Sequence, residues 1–183
     1  LFYKSSNIVP VSQHKKKFTI KVFFCYNYFM NNYGIIAIHG GHIEEGTSEV
    51  AMALAGSDIP YFLNSSEKHI TSIEFRSPLL DELLKDTKTI ISIHGERDTD
   101  NSFIMIGGLD ILLGTKIIKS LVSKGFVIKD NEKGLTGSSS KNVCNLGLSK
   151  KGVQLELSNK LRMELITDYK LMKNFVDSVR IAL

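Results

Sequence analysis

The chain has 183 residues, 43% hydrophobic and 23% charged, with a formal net charge of +4. No apolar run approaches the roughly 20 residues of a membrane span, so the composition fits one globular domain with a sizeable core rather than a membrane protein. Two distant cysteines, Cys25 and Cys144, form no CxxC pair and argue for reduced thiols over a disulfide framework.

Residues 1–34 match no recognisable pattern, although Phe18 to Phe24 is aromatic and β-branched and predicts a strand. The start at Leu1 lacks a signal-peptide pattern, so a truncated or processed start and a cytoplasmic location are expected. Asn31-Asn32 reads as a break before a buried strand, Ile35 to Ile38. Thr47 or Ser48 is the expected cap of a short helix, Glu49 to Ala55, closed by Gly56. Ile59 to Leu63 reads as a strand, and the weak alternation of His69 to Phe75 as an edge strand. Ser77-Pro78 opens a helix with a stripe of Leu79, Leu80, Leu83 and Leu84.

Thr89 to Ile93 is a second β-branched strand, followed by the polar loop Glu96 to Asn101. A strand at Phe103 to Ile106, a helix at Asp110 to Lys124 and a strand at Phe126 to Lys129 follow. Asp130 to Lys151 is the longest loop expected, and long loops inside compact domains are often functional. In Gly152 to Leu157, Val153, Leu155 and Leu157 face one way and Gln154 and Glu156 the other. One long helix is expected from Asn159, burying Leu161, Leu165, Leu171, Phe175 and Val179. Strands alternating with helices predict a three-layer α/β fold, with a mixed central sheet and helices on both faces.

Two strands end in the same way, at Ile38-His39-Gly40-Gly41 and at Ile93-His94-Gly95. Open α/β sheets bind ligands beyond the carboxyl ends of their strands. The Gly-Gly turn lets Glu44 swing back beside His39. His39, Glu44 and His94 would then form a His₂Glu set, as in catalytic zinc sites, with ligand atoms within roughly 4 Å of one another. The alternative is a pair of packed core histidines. A hydrolytic site also needs a base that is not a ligand, and Glu156 is the candidate, on a strand where burial raises a carboxylate's pKa. A merely wet strand face is the other reading of Glu156.

The run His39-Gly40-Gly41-x-Ile43-Glu44-x-Gly46-Thr47-Ser48-Glu49 resembles the signature of the phage-type poly-γ-glutamate hydrolases, relatives of the zinc carboxypeptidases. Segments similar to that family follow in order: His69 to Ser72, Ile93-His94-Gly95, Ile106-Gly107-Gly108, Asn142 to Asn145, and Gly152 to Ser158 with Leu161-Arg162. The resemblance covers roughly residues 35 to 183. It implies one zinc ion on His39, Glu44 and His94, a catalytic Glu156, and a carboxypeptidase-like fold over the single catalytic domain 1–183.

Two positions depart from the family pattern. His42 stands where a small residue is expected, either as a competing ligand or, the favoured reading, lining the cleft. Leu146 follows Asn145 where an arginine is expected to anchor a substrate carboxylate, so Arg76, Arg97, Asn145 and Arg162 become the substrate-binding candidates. The leading expectation is a monomeric zinc hydrolase of γ-glutamyl amide bonds whose basic surface suits a polyanionic polymer, possessing no nucleic-acid or membrane partner and released on host lysis. A zinc amidohydrolase or carboxypeptidase acting on another peptide or N-acyl amino acid is the alternative. A non-catalytic basic binding module is a third, although no helix-turn-helix, zinc-finger spacing or RNP pattern supports it.

Overall fold

The computed structural model describes residues 20–23, 31–131 and 134–183. Among the described residues, six strands form one mixed sheet in the order β1-β3-β2-β4-β6-β5. They are β1 (Ile20–Phe23), β2 (Asn31–Ala37), β3 (Tyr61–Asn64), β4 (Thr87–Glu96), β5 (Ile104–Gly107) and β6 (Val153–Ser158). The inner strands β3, β2, β4 and β6 run parallel, while β1 and β5 close the edges antiparallel. Phe18, Thr19 and Phe24 of the expected first strand lie outside the described residues.

Strand alternation builds two cores. On one face Ile35, Ala37, Ile91, Ile93, Val153, Leu155 and Leu157 bury against α1 (Thr47–Ala55), α3 (Ile111–Ser123), α4 (Asn159–Thr167) and α5 (Tyr169–Arg180). On the other, Ile36, Ile38, Phe62 and Ile90 meet Leu80, Leu83 and Leu84 of α2 (Pro78–Lys85), with Val143 and Cys144 from a single 3₁₀ turn. Burying a Leu or Ile side chain contributes about 1.5–3 kcal/mol, so the two faces hold the sheet from both sides. The three-layer α/β fold is the one expected. No helix among the described residues is long and apolar enough to cross a membrane.

Several local expectations change. Asn31-Asn32 opens β2 instead of breaking it, because Asn31 donates to the Asp86 carbonyl and pairs with Thr87. α1 starts at Thr47 with Gly46 at its N-cap, and the Thr47 hydroxyl donates to the Glu44 carbonyl. Residues 69–75 form no strand: the chain crosses the end of the sheet and turns at Thr71, whose carbonyl accepts from Glu74 and Phe75. Phe126 to Lys129 reduces to one bridge, Ile104 to Ile128. The C-terminal helix divides at Asp168, whose carboxylate caps α5 by accepting from Lys170 and Leu171. The apolar periodicity continues across that break, which is why it reads as one helix.

Candidate metal and catalytic site

β2 ends at Ala37, and the turn that follows carries His39, Gly40, Gly41 and Glu44 over the carboxyl end of the sheet. Gly41 takes a left-handed φ of 75°, open to glycine at little cost, and brings Glu44 back. One carboxylate oxygen accepts from His39 Nδ1 at 2.8 Å; the other accepts from the Gly95 amide at 2.8 Å and lies 3.6 Å from His94 Nδ1. His94 stands inside β4, not at its end, since that strand continues to Glu96. Each of the three offers a ligand atom within 4.8 Å of the others. That limit is wider than the roughly 4 Å spanned by two bonds of about 2.0–2.2 Å, although His39 and Glu44 themselves stand only 2.8 Å apart.

The outer nitrogens are held as well. His39 Nε2 donates to the Ile70 carbonyl at 2.7 Å while Nδ1 donates to Glu44, so both ring nitrogens carry protons in the metal-free protein, in keeping with the raised pKa. His94 Nε2 meets the Ser92 hydroxyl at 2.8 Å. Metal-binding histidines are oriented by such partners on the far ring nitrogen. Two imidazoles and a carboxylate, each with its supporting bond, therefore fit a metal ion by the chemistry of the donor set. Burial opposes ionisation of Glu44, but the hydrogen bonds and charges of His39 and His94 outweigh it and lower its pKa to about 2. Burial also opposes a charged His39, yet the bond to Glu44 and its charge raise the pKa.

Glu156 pairs in register with His94 across β4 and β6 and lines the same cleft, whose volume is about 530 Å³. Burial raises its pKa, the effect that leads over the His94 charge. The face of β6 that carries Glu156 is buried, so the wet-face reading does not hold.

A family model for poly-gamma-glutamate hydrolase matches residues 8–178. The chain belongs to the poly-gamma-glutamate hydrolase family. It is 34% identical over 145 residues to the SPbeta prophage-derived UPF0714 protein YoqZ of Bacillus subtilis (strain 168), covering 75% of this chain and 53% of that protein. It is 31% identical over 150 residues to the UPF0714 protein YndL of the same organism, covering 78% and 59%. The chain thus spans a little over half the length of these curated relatives. A bacteriophage poly-gamma-glutamate hydrolase structure superposes with a TM-score of 0.81 at 24% identity over 93% of this chain and 90% of that one. A structure described as YNDL-apo (Zinc-free) gives 0.79 at 24% over 90% and 88%. A metallo-carboxypeptidase from Burkholderia cenocepacia shares the fold more distantly, with a TM-score of 0.51 at 14% identity over 90% of this chain and 60% of that one.

Within this hydrolase-family cleft the other candidates separate. Arg97 is exposed at the rim and Arg162 is buried in the wall. Arg162, in the first turns of α4, donates to the carbonyls of Glu45, Glu96 and Leu157, joining the His39–Glu44 turn to the ends of β4 and β6. Arg76 lies outside the cleft, donating to the adjacent Phe75 carbonyl. Asn145 also lies outside it: its amide donates to the Gly137 and Ser139 carbonyls and its oxygen accepts from Leu109 and Gly152, so both ends hold the loop. His42 is exposed beyond the Gly41 turn and does not line the cleft. Leu146 packs against the Phe62 core.

His69 was not among the candidates, yet its ring stacks on His39 at 4.3 Å and faces the cleft. Burial and the neighbouring His39 lower its pKa. Its signal was present in the family-like His69 to Ser72 segment, masked by the apparent alternation. Gly95 is a further requirement. A Cβ there would lie 2.6 Å from the Arg162 guanidinium and 2.9 Å from Glu44 Cβ. Gly95→Ala is expected to displace both side chains, costing roughly 1–3 kcal/mol of stability and weakening metal affinity, as measured by competition with a chromogenic chelator.

Proposed function

We propose that this chain is a zinc-dependent hydrolase of the γ-glutamyl amide bonds of poly-γ-glutamate, acting as one catalytic domain. The observation that carries the reading is the convergence of His39, Glu44 and His94 in a cleft of this family with Glu156 beside them. Zinc is favoured by the His/Glu/His donor set and by the zinc-free description of a structural neighbour.

When bound, the ion supplies Lewis acidity toward the scissile carbonyl and toward water. His39, Glu44 and His94 would hold it, with their rings oriented by the Ile70 carbonyl and the Ser92 hydroxyl. Glu156 takes the proton of the attacking water and passes it to the leaving amine, and its raised pKa suits both steps. Arg97 at the rim meets an α-carboxylate of the polymer. Origin from a lysing host fits the prophage-derived relative.

Arg97→Ala is expected to raise KM roughly 10- to 100-fold with little change in kcat, since a charge-assisted hydrogen bond to substrate is worth about 1.5–3 kcal/mol. The substrate itself is tested by following chain length electrophoretically for poly-γ-glutamate and for α-linked polyglutamate. Shortening of the γ-linked polymer alone supports the reading. Cleavage of α-linked chains or ordinary peptides only would favour the other amide substrates.

A further inference from the structure

Glu156 is not alone on its face of β6. Gln154, two residues earlier and equally buried, donates from Nε2 to Glu156 Oε1 at 2.6 Å. Its second Nε2 proton is directed at the Leu135 carbonyl at 3.2 Å, and its Oε1 accepts from Asn142 Nδ2 at 3.0 Å. The direction of this chain of bonds is set by a backbone group. The Cys144 amide can only donate, and at 3.0 Å it meets Asn142 Oδ1. Asn142 must therefore turn its NH₂ to Gln154, and Gln154 must turn its own NH₂ to Glu156. The loop also rests on this side chain: a Cβ at Gly137, at φ 59°, would lie 2.9 Å from Gln154 Oε1. Both Leu135 and Gly137 belong to the loop that walls the cleft.

We propose that Gln154 is a positioning residue for Glu156, holding Oε1 so that Oε2 is the oxygen presented for proton transfer, and that the Cys144–Asn142–Gln154 chain ties this aim to the cleft-wall loop. The proposal rests on Glu156 being the general base. A carboxylate rotating freely about its last torsion would present its working oxygen only part of the time. A donor bonded to one oxygen and fixed from behind by two loop contacts removes that freedom before substrate arrives.

The test is kcat and KM on poly-γ-glutamate, with metal content, for Gln154→Met, Asn142→Asp, Glu156→Gln and the Gln154→Met/Glu156→Gln pair. Gln154→Met keeps length and removes the donor. Asn142→Asp still accepts from Cys144 but offers Gln154 an oxygen, which reverses the Gln154 amide and turns its NH₂ away from Glu156 with scarcely any change in volume. Each is expected to lower kcat roughly 10- to 100-fold, the worth of a hydrogen bond to a charged group, with KM and metal content retained. In the Glu156→Gln background, Gln154→Met should cost nothing further. An equal loss in both backgrounds, or normal turnover of Asn142→Asp, would overturn the proposal. Should Gln154→Met fold poorly, Asn142→Asp carries the test. Normal turnover in Glu156→Gln alone would instead overturn the base on which the proposal stands, a result separately visible in that variant.

Discussion

Alanine in place of His39, Glu44 or His94 is expected to abolish stoichiometric metal binding and to lower polymer hydrolysis by at least about 10³-fold. Lewis acidity stabilises a transition state by several kcal/mol, and each 1.36 kcal/mol is a factor of ten. Glu44→Ala should be the most severe. That carboxylate bonds His39 through one oxygen and through the other accepts from the Gly95 amide close to His94. Its removal leaves a largely buried amide and an imidazole nitrogen without their partner, the costly side of hydrogen-bond loss. Its folded-state pKa is lowered from 4.5 to about 2, so the ionised carboxylate stabilises the metal-free fold above pH 4.5, and that contribution disappears as pH falls toward 2. Metal-free Glu44→Ala should therefore melt below the parent protein at pH 7, with the gap narrowing in acid. Elemental analysis and thermal melting of chelated protein measure the two effects.

Glu156→Gln should act in the opposite sense on stability. It is expected to retain metal while kcat falls by about 10²–10⁴, the worth of general base catalysis. Burial raises the folded-state pKa of Glu156 above its ordinary 4.5. A raised carboxyl pKa contributes stability below the unfolded value, and that contribution is lost as pH rises through the folded one. Above pH 4.5 the carboxyl ionises more readily in the unfolded parent than in the folded one, a cost the glutamine variant lacks. Metal-free Glu156→Gln should thus melt higher than the parent at pH 7, and the difference should shrink below pH 4.5. A variant that keeps normal turnover would remove Glu156 from the mechanism.

The grouping of His39, Glu44 and His94 was legible because each histidine ends or interrupts a β-branched run beside glycine and the Gly40-Gly41 turn returns Glu44 toward them. Glu156 was legible from strict alternation along β6. What the sequence concealed lies in irregular backbone. The chain at residues 69–75 resembles a strand in side-chain pattern, but its work is done by a main-chain carbonyl, that of Ile70, and by the His69 ring laid on His39. Arg162 and Asn145 look like substrate anchors by residue type. The Asn145 amide instead donates to carbonyls of the 137–139 loop, and Arg162 Nε and Nη1 donate to the carbonyls of Glu45, Glu96 and Leu157 while the side chain lines the cleft wall, which only the fold brings about. His42 and Arg76 sit next to site segments in sequence, yet the turns there send them away from the cleft. The halves of the C-terminal helix share one apolar period, so only the capping role of Asp168 marks their boundary.

Metal content and polymer chain length, followed on one preparation as purified, after chelation and after return of zinc, test the function most directly. The expected result is one zinc ion per chain as purified, no shortening of poly-γ-glutamate by the chelated protein, and recovery in proportion to zinc restored. Unimpaired shortening of the polymer by metal-free protein would contradict it.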